Sequence, residues 1–211
     1  MTATTSGLVL TRDEAATILR GLGFRVDTTG QLRQAVEVFQ DSFRLAPAPL
    51  RVDGVVGPVT TSALALAEDR LRRRQSTMSA HFSYAEVACH CRLAYRDCRG
   101  VLVDGALVDA LEQLRAHFYP HGMAISSAYR CPGKNEVTAG AADDSQHQHG
   151  TAADITRAVP TARVQALALF SGIGSGADSH LVRHVDVRHA GSSNPTASTP
   201  HHPALWTYAH C

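Results

Sequence analysis

The chain has 211 residues, of which 44% are hydrophobic and 18% are charged, and its formal net charge is +1. This composition supports a buried core and excludes disorder as the default state, while the charge gives no general attraction to nucleic acid. No apolar run reaches the ~18 residues of a membrane helix, and residues 1–10 lack the basic and apolar regions of a signal peptide. We therefore expect one or two domains, with no nucleic-acid partner and no membrane insertion.

Residues 1–72 have the pattern of a small helical domain. Thr11 followed by Glu14 matches the capping box that begins a helix, and Gly21 is typical of a helix end. The dipeptides at residues 53–54 and 57–58 indicate turns, and Pro58 with Thr60 indicates the start of a third helix. Between the first and third helices, a second helix is indicated by four apolar residues on one stripe: Leu32, Ala35, Val36 and Phe39. Gln40 is among the polar residues that lie off this stripe. We predict a three-helix bundle.

The order of residues in these helices and turns is specific. Gln34-Ala-Val-x-x-Phe-Gln is followed by Asp53-Gly-x-x-Gly-Pro-x-Thr-x-x-Ala-Leu. In this order the segment resembles the three-helix peptidoglycan-binding domain found on many cell-wall hydrolases. It departs from that domain in a longer, proline-rich loop at residues 44–52. The resemblance implies peptidoglycan as a partner; the alternative is a helical domain that only packs against its neighbour.

The composition changes abruptly at residues 73–80, and we place a linker there. This divides the chain into a helical domain at 1–72 and a second domain at 81–211. The arginines around residue 72 suit a helix C-terminus. They lack the interleaved aromatic residues of a nucleic-acid surface.

The second domain mixes helical and strand patterns, so we predict an α+β fold with an antiparallel sheet. Apolar spacing indicates helices near residues 107–118 and 161–170. Strands are indicated at 124–130, 151–156 and 184–188. The alternation of polar and apolar residues is clearest in 184–188. The polar segment 131–146 has the character of a functional loop, and residues 172–176 that of a flexible glycine turn. The tail at 191–203 is expected to lie over the surface, with Trp206 as a packing anchor.

The chain has five cysteines: Cys89, Cys91, Cys98, Cys131 and Cys211. An odd number excludes complete disulfide pairing within one chain. The Cys-x-Cys pair with Cys98 nearby suggests a structural zinc site, but this spacing is not that of a zinc ribbon. Buried free thiols, one or two disulfides and a zinc site therefore stay open, in that order of preference.

Two histidines and an aspartate have the composition of a catalytic zinc site. His147 and Asp154 lie in one segment, and His184 lies in a predicted strand where Asp186 and Arg188 share its face. If the strands that carry Asp154 and His184 are neighbours, the three side chains can meet at one ion. Zn²⁺ accepts imidazole and carboxylate ligands, and three protein ligands leave a position for water.

With these residues, the second domain resembles the zinc peptidases that include bacterial D-alanyl-D-alanine carboxypeptidases, phage L-alanyl-D-glutamate endopeptidases and the hedgehog signalling domain. The signature Ser-x-His-x-x-Gly-x-Ala-x-Asp is complete from Ser145 to Asp154, and Tyr129-Arg-Cys-Pro matches the element that carries the substrate arginine. The resemblance implies that Zn²⁺ is the cofactor and that its ligands are His147, Asp154 and His184. It also makes Arg130 the residue that holds a carboxylate or carbonyl of the substrate. From the chemistry alone, we further expect Arg130 to stabilise the oxyanion as a catalytic residue, and Ser145 to bind substrate or orient a metal ligand.

The general base departs from the pattern. Many relatives carry an acid three residues before the last zinc histidine, where this chain has Leu181. We assign the role to Asp186, ahead of His180 and Asp178; a zinc domain of weak activity, as in the hedgehog branch, is the alternative. By analogy with secreted relatives, Cys131 forms a disulfide with Cys89 or Cys91, and a free Cys131 is the alternative.

Together the two resemblances imply a modular peptidoglycan hydrolase, monomeric and similar to a phage endolysin. Such a protein stays in the host cytoplasm until the membrane opens and then acts on the wall; a bacterial autolysin acts outside the cell. One rival hypothesis is a non-catalytic wall-binding protein that contains zinc, and another is a zinc peptidase for ordinary proteins. Which peptide bond is cut, and whether at a chain end, does not follow from the motifs.

Overall fold

The computed structural model describes residues 9–156, 159–176, 180–188 and 199–208. Two compact units divide between Tyr84 and Ala85. The predictions about Asp178 and Cys211 concern positions outside the described residues. Among the helices that are described, none is long and apolar enough to cross a membrane.

The part of the first unit that the structure describes contains helices α1 (Arg12–Gly21), α2 (Thr29–Ser42) and α3 (Pro58–Arg72). The predicted capping box at the start of α1 is confirmed, since the Thr11 hydroxyl accepts from the Glu14 backbone and the Glu14 carboxylate accepts from Thr11. A second capping box, which we did not predict, joins Thr28 and Gln31 at the start of α2. Helix α1 contacts both α2 and α3. The predicted apolar stripe of α2 is buried.

Gln40, a polar residue off the apolar stripe of α2, is nonetheless buried in the interior of this unit. Its amide nitrogen donates to the Asp53 carboxylate, the Val55 carbonyl and the Thr60 hydroxyl, at 3.0–3.1 Å. Its amide oxygen accepts from the backbone of Asp53 and Gly54. A buried amide that is fully hydrogen-bonded loses little on leaving water. Gln40 therefore fixes the Asp-Gly turn between α2 and α3.

The segment predicted as a linker has buried residues at its centre. Thr77, Met78 and Ser79 have at most 3% of their surface exposed. The backbone N–H of Arg44, just after α2, donates to the Met78 carbonyl at 2.8 Å. Residues 77–79 thus pack as part of a folded unit.

The second unit alternates short helices and strands. Its helices are α4 (Tyr84–Val87), which begins where the units divide, α5 (Gly105–Phe118), α6 (Pro132–Glu136) and α7 (Thr161–Gln165), with a 3₁₀ turn at Gln146–His149. Its strands are β1 (Ile125–Ser127), β2 (Ala152–Ile155), β3 (Gly172–Gly176), β4 (Val182–Asp186) and β5 (Ala204–Tyr208). The α+β class is confirmed. Two predictions are corrected: residues 131–146 contain α6 and not only loop, and the helix from 161 ends at Gln165.

The five strands form one sheet in the order β1-β2-β4-β3-β5. Neighbouring strands are antiparallel except β3 and β5, which are parallel. The predicted antiparallel sheet is therefore correct in the main and wrong at one edge. Strands β2 and β4, which carry the predicted metal ligands, lie side by side inside the sheet.

The glycine-rich segment 172–176 was predicted as a flexible turn, and this prediction is wrong. It forms β3, whose residues are all buried between β4 and β5. A Cβ atom at Gly172 would lie 2.1 Å from the Asp186 carboxylate, and one at Gly174 would lie 2.8 Å from the Trp206 ring. These glycines therefore leave space for side chains of the two neighbouring strands.

Candidate metal centre

His147 lies in the 3₁₀ turn Gln146–His149, which directly precedes β2. Its Nδ1 atom lies 2.6 Å from the carbonyl oxygen of Ala128. Because a carbonyl oxygen can only accept, Nδ1 carries the proton and donates it. In the neutral imidazole the other nitrogen, Nε2, then presents a lone pair. A backbone contact of this kind fixes both the tautomer and the ring orientation of a metal-binding histidine.

The other two residues come from neighbouring strands. Asp154 on β2 and His184 on β4 are direct partners in the antiparallel register. The Nε2 atom of His184 donates a hydrogen bond to Oδ2 of the fully buried Asp186, at 3.2 Å. Nδ1 of His184 then faces Oδ1 of Asp154 at 3.0 Å. The strand pairing and the buried carboxylate together orient His184.

Three ligand atoms converge in this arrangement. Nε2 of His147 lies 3.1 Å from Nδ1 of His184 and 3.2 Å from Oδ1 of Asp154. Ligands at ~2.0–2.1 Å from a tetrahedral zinc ion are ~3.3 Å apart, so the observed triangle has the right size. Its atoms are two imidazole lone pairs and a carboxylate oxygen, and such a set of acceptors requires a cation. The residues present fit a zinc ion with three protein ligands.

The charges of the group follow the same pattern. Burial raises the pKa of a carboxyl group, but the contacts with the rings of His147 and His184 outweigh it and hold the pKa of Asp154 well below its usual range. Burial lowers the pKa of an imidazole, but hydrogen bonds to Asp154 and Asp186 raise the pKa of His184. These shifts favour the ionised carboxylate of Asp154, which is the form that binds a metal.

Asp186 lies behind His184, away from the ligand triangle. Arg188 donates to both of its carboxylate oxygens, from Nε at 2.8 Å and from Nη2 at 2.6 Å. Burial raises the pKa of Asp186, but the hydrogen bonds from Arg188 and His184 outweigh it and lower the pKa to about 2. These contacts favour an orienting role for Asp186, and the base role that we assigned to it stays a prediction.

Arg130 lies at the edge of the triangle. Its guanidinium is 4.0 Å from Oδ2 of Asp154 and donates to Oδ1 of Asn135 at 3.2 Å, while its backbone N–H donates to the His147 carbonyl. Asn135 is buried in α6 and donates to the carbonyl of Ala142. The sequence analysis did not identify Asn135 as a site residue. The feature that could have indicated it is its position one turn after Pro132, in a segment that we interpreted as loop.

A cleft of about 1080 Å³ opens over the metal group, and the residues that line it include Arg130, Ser145, Arg183 and Trp206. Trp206 packs its ring 5.1 Å from the His184 ring. The register between β3 and β4 shifts next to Arg183, and such a shift redirects a side chain. The Nε atom of Arg183 is buried and has no hydrogen-bond partner among the described residues. Strand alternation alone would have placed Arg183 on the face opposite His184.

The remaining predicted residues lie around this centre. Ser145 lines the cleft, and in the described part of the chain its hydroxyl does not cap the 3₁₀ turn that it precedes. His149 is exposed and pairs with Asp144 at 2.8 Å, outside the metal group. The backbone of His180, the less favoured base, caps the start of α7 through Thr161.

The cysteines form no disulfide within the described residues. Cys89, Cys91, Cys98 and Cys131 are all free, so the predicted bridge from Cys131 to Cys89 or Cys91 is wrong. Both of those sulfur atoms lie 3.7 Å from the Cys131 sulfur. Cys131 is equally close to two partners, so neither pair is selected.

Comparison with known proteins identifies the second unit. The model of the Peptidase M15 family matches residues 80–187, which contain the three converging ligands, Arg130 and the four-cysteine group. A search of curated proteins finds no match to the chain.

Proposed function

The chain belongs to the Peptidase M15 family, and from this premise we propose that it is a zinc-dependent peptidase that hydrolyses an amide bond in the stem or cross-link peptide of bacterial peptidoglycan. Peptidases of this family are metal-dependent hydrolases, so the second unit is a metallopeptidase domain. The observation that carries the proposal is the convergence of His147, Asp154 and His184 at 3.0–3.2 Å beneath an open cleft.

The three converging residues would hold the metal. A zinc ion bound there would act as a Lewis acid and make water nucleophilic near neutral pH. His147 and His184 each use one ring nitrogen as ligand because the other donates, to the Ala128 carbonyl and to Asp186 respectively. The protein thus keeps both imidazoles in the tautomer that binds metal.

Arg130 has the position of an electrostatic catalyst. Amide hydrolysis places negative charge on the former carbonyl oxygen, and a donor already aimed at that oxygen accelerates the reaction by ~10²–10³. The Arg130 guanidinium is held near Asp154 by the buried side chain of Asn135. Because Asn135 is fixed by α6, the guanidinium needs little reorganisation when charge develops.

For Asp186 we propose a positioning role in place of general base. It has no exposed surface, and its oxygens are engaged by Arg188 and His184. A general base must reach the proton that it removes, whereas Asp186 is not among the residues that line the cleft. The carboxylate raises the basicity of His184 and holds its ring, as a partner behind a metal ligand does.

The lining of the cleft supports a peptide substrate with negative charge. Arg130 and Arg183 line it beside Asp144 and the metal ligand Asp154. Arg188 lines it too, but its charge is neutralised by Asp186. Guanidinium groups bind carboxylates in a two-pronged geometry, and stem peptides of peptidoglycan carry free carboxylates. Trp206 offers an apolar wall for a short side chain.

For the first unit we propose attachment to the cell wall. Its support is the resemblance of its turns and helices to peptidoglycan-binding domains, together with three large apolar side chains exposed around the Asp-Gly turn: Val52, Val55 and Val59. Exposed apolar residues grouped along a short segment are typical of a binding surface. The endolysin-like role stays part of this proposal.

The test uses the full chain, purified sacculi and casein, incubated in parallel with zinc-loaded and chelator-treated protein. We expect soluble peptides from sacculi, their loss on chelation, their return with zinc, and no cleavage of casein. Mass spectrometry of the fragments identifies the bond. Cleavage of casein alone would favour a general protein peptidase.

The non-catalytic alternative has one specific observation in its favour, since Leu181 stands where relatives carry an acid. It predicts that sacculi retain the zinc-loaded protein in a sedimentation assay but release no peptide. That result would overturn the peptidase and leave only the wall-binding function.

A further inference from the structure

A second group of metal-ligating side chains lies in the same unit as the metal centre and takes no part in it. We propose that this group binds a structural zinc ion through four thiolates. Its sulfur atoms all lie within 4.8 Å of one another, and they belong to Cys89, Cys91, Cys98 and Cys131. Three of the four side chains are buried.

The distances between the sulfur atoms match ligands of a common ion. Two pairs, Cys89–Cys131 and Cys91–Cys131, have sulfur atoms 3.7 Å apart. A disulfide requires ~2.05 Å. Four thiolates at ~2.3 Å from a tetrahedral zinc ion lie ~3.8 Å apart. These two distances are therefore those of a tetrahedral site and far from that of a disulfide bond.

The segment that carries the first three cysteines contains no regular secondary structure. Residues 88–104 connect α4 to α5 without any helix or strand, which is long for such a connection. Around the cysteines, the small apolar cluster is completed by Tyr129 with the partly buried Tyr95 and Leu102. A metal that crosslinks such a loop contributes directly to its folding.

Backbone N–H groups are directed at two of the sulfur atoms. The N–H of Gly100 points to Sγ of Cys98 at 3.3 Å, and that of Cys131 points to Sγ of Cys89 at 3.5 Å. Donors of this kind stabilise thiolates that bind a metal and hold them in place. Four sulfur ligands without an open position favour zinc in a structural role.

The ion would join the cysteine loop to the segment that carries Arg130. Cys131 follows Arg130 directly and is the N-cap of α6, the helix whose Asn135 accepts from the Arg130 guanidinium. The loop also reaches α6 at Asp97, whose carboxylate accepts from the Gly133 N–H at 2.9 Å. The second ion thus supports the placement of Arg130 without contacting the substrate.

The test is the zinc content of the purified full chain, measured by elemental analysis. We expect two zinc ions per chain in the wild type, one in Asp154→Ala and one in Cys98→Ser. Cys211→Ser replaces the fifth cysteine and serves as the control, with two ions expected. One ion in the wild type that is lost in Asp154→Ala would overturn the thiolate site, as would disulfides between these cysteines under non-reducing mass spectrometry.

A second measurement covers the case in which Cys98→Ser does not fold. Asp154→Ala is loaded with Co²⁺ as the probe, and its absorption spectrum is recorded. A tetrahedral thiolate site gives strong sulfur-to-cobalt charge transfer, and X-ray absorption of the zinc form should give four sulfur neighbours at ~2.3 Å. Neighbours that are only nitrogen or oxygen would overturn the proposal, and iron in place of zinc in the purified protein would overturn the choice of metal.

Discussion

Asp154 and His184 are opposite each other on the antiparallel strands β2 and β4, and their facing atoms, Oδ1 and Nδ1, are 3.0 Å apart. A shift of either strand by one residue would turn one of these side chains to the other face of the sheet. The register of the sheet therefore decides whether the metal centre exists. His147 completes it from the turn before β2.

Replacing Asp154 by alanine should empty this centre. Two imidazoles alone lack the negative ligand, so the zinc of this site should be lost and peptide release from sacculi should fall to the level of a reaction without enzyme. Zinc analysis and fragment release measure the two effects. Asp143→Ala, which removes an exposed carboxylate just before the Ser145 motif, should change neither. A variant at position 154 that keeps wild-type activity would contradict the assignment of the ligands.

Arg130→Lys should reduce the rate while zinc stays bound. Lysine keeps the charge but loses the planar group that Asn135 orients, so we expect kcat to fall by ~10²–10³ with a smaller change in KM. Steady-state kinetics on a defined muropeptide, with zinc analysis of the same sample, tests this. Arg115→Lys on α5, outside the cleft, is the matched control. Equal loss of zinc and activity would show that Arg130 supports the fold and not the reaction.

The local patterns of the sequence predicted the elements that their own residues determine. The capping box at Thr11 depends on neighbours within a few positions, so it could be predicted. Gln40 and Gly172 could not, because each is explained by a distant partner. Gln40 is buried by a turn beyond its own helix, and Gly172 is required by the Asp186 carboxylate.

The candidate site follows the same division. Strand alternation placed His184, Asp186 and Arg188 on one face, but alternation alone gave no reason to expect that Asp186 is occupied by Arg188. The register shift that directs Arg183 to the cleft has no local signal. The grouping of the four cysteines could not be predicted from their spacing, because Cys131 lies far along the sequence from the other three.

The Asp186→Asn variant distinguishes an orienting role of Asp186 from a role as general base. The amide keeps the shape but weakens the hold on His184, so the affinity for zinc at the catalytic site should fall ~10–100-fold. A general base would instead lower kcat and leave that affinity unchanged. Competition with a chromophoric chelator gives the affinity, and kinetics at saturating zinc gives kcat. Unchanged zinc affinity with a large loss of kcat would restore the base role to Asp186.

Binding of zinc to the catalytic centre should strengthen as pH rises through the neutral range. In the metal-free protein, burial lowers the pKa of His184, but hydrogen bonds to Asp154 and Asp186 outweigh it and raise the pKa above the usual value. A protonated Nδ1 cannot bind metal, so competition by protons extends to higher pH than for an ordinary histidine. Zinc retained after dialysis at several pH values measures this, with the amount retained by Asp154→Ala subtracted. Retention by the catalytic centre that does not depend on pH would contradict it.

Gly172→Ala should destabilise the second unit through one clash. The new Cβ would lie 2.1 Å from Oδ2 of Asp186, and this carboxylate cannot move without breaking its contacts with Arg188 and His184. We expect the free energy of unfolding to fall by ~1–3 kcal/mol, the usual cost of overpacking. Urea unfolding followed by the fluorescence of Trp206, the single tryptophan, reports on this unit.

A double-mutant cycle shows whether the clash is the cause. In an Asp186→Ala background the carboxylate is absent, so the added methyl group at position 172 should cost much less than in the wild type. The interaction energy between the two changes should then be large, as for residues in contact. Additive effects would mean that Gly172 acts through the conformation of β3 and not through Asp186. The same samples, analysed for zinc, should show Gly172→Ala losing metal from the catalytic centre, because a displaced Asp186 no longer orients His184.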